Sequence, residues 1–523
     1  MENRRSYREG WLGVVRKDTD LGSISTVGGR LKAGPGGSYA EFIQAPRFEV
    51  DRVEKFAAII LTHKAWTLML TEQGIIKKQE ARSIFKGLFD LQAKGHEALG
   101  TYQPDLEDLY MHVERFLSAQ AGTDAVGKIN YGRTRPEPFN RLVGRQKILA
   151  FLDESISFYA KMLGKAEDHL EMIMPGYTHM QQAQPMTVAH YLLAVADVTG
   201  RAIQGMEMAF GFMNRNSLGT GALAGTHSII NRRRTSDLMG FPEPVENAYD
   251  AVSAADHFST AASTAAGLAA NLSRIAQDFS IWSMGEFDFA YVGDEFAATS
   301  SMMPQKRNSV CWEFIRARAA KVVGASMDVL TMIHNTTFAD VCDTCIEVAE
   351  PTWRALDTAT GTVRLLGDAI TSVRFNGEKM YDLVENGFAT VSELAELLQR
   401  KSGQPYRVVH RLIGQIVSTM IEEGKTARQI DSRVVEAVAQ RTGFPSVKLT
   451  DEEVRKALDP WEFITAHDST GGTAPKEGRR MLVERVRCLE QLGRAQRERR
   501  RLIQEAEGRL DEAIRTIMQA GKE

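Results

Sequence analysis

Only four cysteines occur in the 523 residues, Cys311, Cys342, Cys345 and Cys488. That is too few for a disulfide framework and suits a reducing compartment. No uninterrupted run of about 20 apolar residues is present, so no membrane-crossing helix is expected. The first residues, Met1 to Trp11, are polar and basic without an apolar stretch, which points to the cytoplasm. Net charge is also nearly lacking, at -3, and gives no reason to expect nucleic acid or a membrane as partner. Convincing apolar/polar alternation, a βαβ pattern and a dinucleotide-type glycine fingerprint are all missing, which argues against a sheet-based fold. One CxxC is present, Cys342 and Cys345, but no second pair accompanies it, so ordinary helix cysteines are expected. A small-molecule substrate is what these absences leave.

Ordinary globular composition is what remains, with 43% hydrophobic and 25% charged residues. A chain this long has a length prior of about three domains and buries roughly three quarters of its unfolded surface. Residues 12 to 45 are rich in Gly and Ser and contain Pro35, so they read as an irregular arm, with order starting near Phe48. Helical spacing follows in Ile59, Ile60, Leu68 and Leu70, then Ile84, Leu88 and Leu91. From Pro136 to Ile370 the breakers cluster at 174–186, 211–225, 240–244 and 293–304, with long helices expected between them. Leu268, Leu272, Ile275, Phe279 and Trp282 share one helix face, while Ala265, Ala266, Gly267, Ala269 and Ala270 leave other faces open to close neighbours. Such a helix belongs inside a bundle. After Phe375 the pieces shorten, and the charge-dense terminus carries a weak stripe of Leu502, Leu510, Ile514 and Ile517, expected as a solvated helix. The class is all-α, divided as 1–134, 135–375 and 376–523, with the long helices in the middle part.

Four motifs stand out. TSSMMPQKRNSVCWEF, residues 299–314, contains Ser300, Ser301, Met303, Pro304, Lys306, Asn308 and Glu313. MPGYTHMQQAQPMTVAHY, 174–191, carries Thr178 and His179. NRNSLGTGALAGTHSIINRR, 214–233, is glycine-rich and includes Arg232. Its glycines lack the GK[ST] ending and preceding strand of a phosphate cradle, so they read as backbone close-packing. YGRTRPEP holds Arg133 and Arg135, whose guanidiniums suit bidentate carboxylate binding; an exposed ion pair is the bland alternative.

The first motif resembles the signature loop of the argininosuccinate lyase and fumarase superfamily, Ser-Ser-x-Met-Pro-x-Lys-x-Asn followed by Glu. The second is similar to that family's Thr-His segment, and the third to its glycine-rich region ending in an arginine. DLYMHVE at 108–114 and ATVSELAELLQRKSGQPYRVVH at 389–410 extend the resemblance over roughly 48–475, closest to the argininosuccinate lyase branch. The resemblance implies a three-domain helical subunit and a homotetramer whose active sites are shared between subunits. It also implies no metal or organic cofactor, and cleavage of a C–N bond in an N-substituted aspartate to give fumarate. It makes Ser300 the general base and His179, partnered by Glu313, the group beside the leaving nitrogen. Lys306 and Asn308 would hold a carboxylate whose charge grows in the transition state, with Thr178, Ser301, Arg133, Arg135 and Arg232 also at the site. A silent, crystallin-like structural relative is the competing reading, because fold does not fix function. Retention of Ser300, His179, Lys306, Asn308 and Glu313 together favours the enzyme.

Departures fall at the amine end. The branch's GRSRNDQ is GRTRPEP here, with Pro136, Glu137 and Pro138 in place of Asn, Asp and Gln. Thr337, Cys342 and Cys345 stand where the branch has a Tyr, Gln and Lys that hold the arginine part, and His63 where it has a serine. Sites reject ligands whose polar groups they leave unpaired. Argininosuccinate itself is therefore expected to fit poorly, and an aminopolycarboxylate such as ethylenediamine disuccinate becomes an alternative substrate.

Overall fold

The computed structural model describes residue 25 and residues 30–135 and 138–519; the expectations for Met1 to Trp11, for most of the arm and for Pro136 and Glu137 lie outside the described residues. Among the described residues the first helical element starts at Gly37, immediately after the Gly-Pro-Gly breaker, and not near Phe48. A π-helical turn, Ala40–Gln44, leads into Ala45–Glu54. It holds because Ala40 is buried and Gln44 accepts the Tyr102 hydroxyl at 2.7 Å.

Three helices follow, α1 (Phe56–Glu72), α2 (Lys78–Lys94) and α3 (Leu109–Ala121). Nearly every side of α1 is covered, from Ile59 to Leu70. Asp108 caps α3 by accepting the Met111 N–H at 3.1 Å.

Five long helices form the bundle. They are α4 (Phe139–Glu167), α5 (Val188–Met213), α6 (Asp256–Trp282), α7 (Cys311–Ile333) and α8 (Ala349–Ser372). At 1.5 Å per residue each runs about 35 to 44 Å. The face foreseen on α6 is the buried one: Leu268, Leu272, Ile275, Phe279 and Trp282 all lie in the core. Each such side chain is worth about 1.5 to 3 kcal/mol against exposure. Ala265 and Ala269 are fully buried and let α5, α7 and α8 pack closely against α6.

The clusters of breakers hide short ladders that the sequence pattern did not reveal. β1 (Ile173–Thr178) pairs antiparallel with β2 (Gln181–Thr187). β3 (Ala290–Tyr291) pairs with β6 (Arg374–Phe375), and β4 (Ala298–Thr299) with β5 (Arg307–Asn308). β1 and β2 do not alternate in burial along their length and include Pro175, Gly176 and Pro185, while the two-residue strands leave no period to read, and the molecule stays all-α in class.

Beyond β6, four α-helices between Val391 and Leu458 enclose a separate core of Leu394, Leu398, Leu412, Ile416, Met420 and Val454. The terminal helix, α9 (Pro475–Gln519), is a single 45-residue element. Contrary to the expectation of a solvated helix, it straps the bundle. Leu510 and Ile514 of the foreseen stripe are buried and Ile517 packs against the core, while Leu502 is half exposed and Ile503 and Ala506 take the inward positions in its place. Arg485 grips Asp197 through two bonds of 2.6 and 2.7 Å, and Gln496 donates to Leu149 O at 3.0 Å. Charge density misled because long arginines can pair across an interface as readily as they solvate.

Candidate active site

The bundle has two unlike ends. At the hairpin end lie the C-termini of α4, α6 and α8 and the N-termini of α5 and α7. Lys161 meets Asp368 at 2.5 Å there, Tyr191 donates to Asp278 at 2.7 Å, and Phe279 stacks on Trp312 at 5.1 Å. At the other, the glycine end, Asn140 donates to Cys345 O at 2.8 Å and Phe258 packs on Trp353 at 5.6 Å. The helix lengths separate the two ends by about 35 to 44 Å.

The hairpin end holds Thr178 and His179. β1 and β2 are joined by a two-residue turn, His179-Met180, with Thr178 paired to Gln181. Both turn residues have positive φ, 52° and 63°. That is the geometry of a turn normally given to Asn-Gly, so two side chains are held in a left-handed conformation that costs each about 1 to 2 kcal/mol. Gly176 makes the hairpin possible, since a Cβ there would lie 2.6 Å from Gln184 O. The result is an exposed imidazole on a rigid, strained tip. Strain of this kind clusters at functional sites.

The signature loop lies at the same end. β4 and β5 pinch its neck through the pairs Ala298–Asn308 and Thr299–Arg307, leaving Ser300 to Lys306 as the excursion. Ser300 Oγ accepts the backbone N–H groups of Met303 at 3.0 Å and Met302 at 3.3 Å. The side-chain turn is thus present, and it aims two N–H dipoles at the oxygen. Such donors favour an alkoxide over a hydroxyl. Ser301 and Lys306 are exposed, Asn308 is half-buried at the neck, and Glu313 is exposed in the first turn of α7. Among the described residues no hydrogen bond or ion pair joins Glu313 to His179. Sequence reasoning missed Arg307, which fastens the neck: its Nε donates to Asp294 at 3.0 Å and its guanidinium lies 4.1 Å from the Tyr291 ring. Its place inside the motif was the available signal.

Arg133, Arg135 and Arg232 lie at the glycine end. Arg133 sits among the rings of Tyr110, Trp66 and Phe139 at 5.3 to 5.9 Å. His63 is fully buried beside it, its ring 5.1 Å from Tyr110. Burial, helped by the Arg133 charge, pushes the His63 pKa well down, so the imidazole is neutral. Arg135 pairs with Glu107 at 2.8 Å and Asp108 at 3.2 Å, the bland arrangement considered above. Arg232 donates to Leu218 O at 3.0 Å and Val245 O at 2.8 Å, clamping the glycine loop. Gly219 and Gly221 have φ of 85° and 59°, and a Cβ on Gly221 would lie 2.4 Å from Gly225 O, so close-packing is their role. Thr337 and Cys342 are exposed nearby, and Cys345 lies in a π-helical turn, Asp343–Glu347. One chain therefore brings Thr178 and His179 to the same end as Ser300–Glu313, and leaves Arg133, Arg135 and Arg232 at the far end. Among the described residues no His/Cys/Asp/Glu group has the form of a metal site.

The chain is similar to known proteins in both sequence and fold. Residues 44–324 match a lyase family and 388–465 match the argininosuccinate lyase C-terminal family. The chain is 35% identical to the argininosuccinate lyase of Methanocaldococcus jannaschii over 81% of its length and 86% of the relative's. It is 34% identical to that of Methanothermobacter thermautotrophicus over 88% and 98%. Among solved structures, EDDS lyase in complex with formate superposes with a TM-score of 0.83 at 26% identity, covering 94% of this chain and 97% of that one. A class II fumarase from Schistosoma mansoni shares the fold at a TM-score of 0.66 and 16% identity, covering 82% and 95%. With the lyase family spanning more than half of the sequence and relatives above 30% identity covering over four fifths of it, the chain belongs to the argininosuccinate lyase branch of the argininosuccinate lyase and fumarase superfamily.

Proposed function

We propose that this enzyme is a carbon–nitrogen lyase that cleaves an N-substituted aspartate to fumarate and an amine, with Ser300 as general base. The reading is carried by the Ser300 oxygen, an otherwise poor base held under two backbone N–H donors on an exposed loop that also presents Lys306. Ser300 takes the proton from the carbon beside a substrate carboxylate. The electron pair forms the fumarate double bond as the C–N bond breaks, and His179 hands a proton to the departing nitrogen. Lys306 and Asn308 hold the carboxylate whose negative charge grows. Arg133, Arg135 and Arg232, with Thr178 and Ser301, complete the binding set; Arg232 acts through the loop it clamps.

The distance between the two ends supports a site shared between subunits. Antiparallel association would bring the hairpin end of one chain to the glycine end of another. α7 offers a seam for it, with Phe314, Met327 and Leu330 exposed along its length, and α5 adds Met208 and Phe212. Exposed apolar stretches of this kind mark association surfaces. We take the assembly to be a homotetramer whose subunit divides at about 134 and 375, and place it in the cytoplasm. The four free cysteines fit that setting, and among the described residues no helix is long and apolar enough to cross a membrane. Argininosuccinate is proposed as a poor substrate relative to another N-substituted aspartate.

Ser300→Ala tests the assignment. Turnover should fall by about 100-fold or more with helix content unchanged. A variant that keeps more than about a tenth of the activity would refute the general base.

A further inference from the structure

Beside Thr134, between the two candidate substrate arginines, a cavity of about 60 Å³ opens at the glycine end. Its lining includes Thr134, Asn140, Arg141, His257, Asp340 and Cys345. A single water needs about 10 to 15 Å³ on this scale, so the space suits a small charged group. We infer that this cavity receives a carboxylate carried by the leaving amine, and that Arg141 is the specificity-determining residue of the amine end. The inference rests on the lyase reading above.

Arg141 lies in the first turns of α4 with its side chain buried. Among the described residues its guanidinium makes one hydrogen bond, from Nη1 to Phe212 O at 2.8 Å, while Asp256 and Asp250 act on it only through space. Burial lowers its pKa to about 10, which leaves it a cation at neutral pH. A buried cation without a matched anion is costly, and a ligand carboxylate would match it with a fork of N–H donors.

The neighbours fit the same ligand. Asn140 gives its amide N–H to Cys345 O, which fixes the flip and leaves Oδ1 as an unpaired acceptor. The Thr134 hydroxyl is likewise unpaired. His257 Nδ1 is 3.8 Å from Asp256, beyond hydrogen-bond reach. Burial first and the Arg141 charge second bring the His257 pKa down to about 4, so its ring is a neutral donor and acceptor. Arg141, the Thr134 hydroxyl and the neutral imidazole suit a carboxylate, while the Asn140 oxygen and the Asp340 carboxylate that also lines the cavity suit an N–H donor next to it. An amine ending in a neutral group would leave Arg141 as it is.

The test runs the reaction toward bond formation, in which an amine nitrogen bonds to one fumarate carbon and a proton is added to the other. Wild-type enzyme is given fumarate with glycine, 3-aminopropanoate or 4-aminobutanoate, and in parallel with the carboxamide of each. At one chain length or more, the carboxylate should be preferred by about 10-fold to 100-fold in kcat/KM. In Arg141→Met the ratio of carboxylate to carboxamide should fall to about one. Carboxamides that match carboxylates at every length in the wild type overturn the inference, a result that needs no variant to fold. So does a preference that survives Arg141→Met. Fumarate consumption with the carboxamides alone would leave the lyase reading standing, whereas no consumption with any amine would remove both.

Discussion

The two ends of the bundle solve opposite problems. At the hairpin end the candidate groups Thr178, His179, Ser301, Lys306 and Glu313 are exposed, carried on two-stranded ladders and a strained turn. At the glycine end His63, Arg141 and His257 are buried, and the chain is locked by left-handed glycines and an arginine clamp. Proton transfer needs groups that reach substrate and move with a loop, while recognition needs groups whose geometry is fixed before the ligand arrives. Placing the two sets of groups at opposite ends of long helices leaves each free of the other, and under the proposed reading a complete site draws on more than one chain.

The largest expected effect tests that separation. Ser300→Ala and Arg133→Gln should each be inactive. Subunit exchange between them should restore activity toward about a quarter of the wild-type sites, since some mixed sites draw one intact group from each chain. No recovery after demonstrated exchange would mean the two ends serve different sites.

Next comes the rigidity of the glycine end. Gly221→Ala should destabilise by about 2 to 4 kcal/mol, because its Cβ would collide with Gly225 O in a left-handed backbone. Gly225→Ala, also left-handed but with open space around it, should cost only about 1 to 2 kcal/mol. Equal denaturation midpoints for the two variants would remove close-packing as the reason.

Burial at that end also makes a pH prediction. Folded His257 stays neutral down to about pH 4, whereas the unfolded chain takes up a proton below about 6.5. The unfolded state therefore binds more protons inside that window. Stability is fully present above pH 6.5 and declines as pH falls toward 4. His257→Phe should make the fall of Tm across this range shallower; an unchanged slope would show that other groups set it. The smallest effect belongs to the hairpin tip. Met180→Gly relieves one left-handed side chain and should raise stability by up to about 1 kcal/mol after the entropy of glycine is counted. A lower Tm would mean that the exposed Met180 side chain contributes packing.

Much of this was legible beforehand. The i, i+3, i+4 spacing on α6 named its buried face, and the glycine run 219–225 announced close-packing, because local sterics and period are written in neighbouring residues. The α9 strap was misread since its inward stripe is thin and its arginines find acids far away in sequence, such as Asp197 and Glu207. The ladders around the signature loop were invisible because two residues carry no period. Arg141 gave no signal either: within FNRLVGR both Arg141 and Arg145 are buried, and nothing in the string marks the one that lines the cavity.

The sequence alone determined the all-α class, the bundle faces, the family and the residues of its signature loop, since each depends on periodicity or on a contiguous string. Tertiary structure decided that Ser300 lies under two N–H donors, that the far arginines stand a bundle's length away, and that Arg141, Asn140 and His257 meet around one cavity. The first depends on how a local turn is pinched by its ladder, and the last two on contacts between residues more than a hundred positions apart, as Asn140 and Cys345 are, which exist only once the helices have packed.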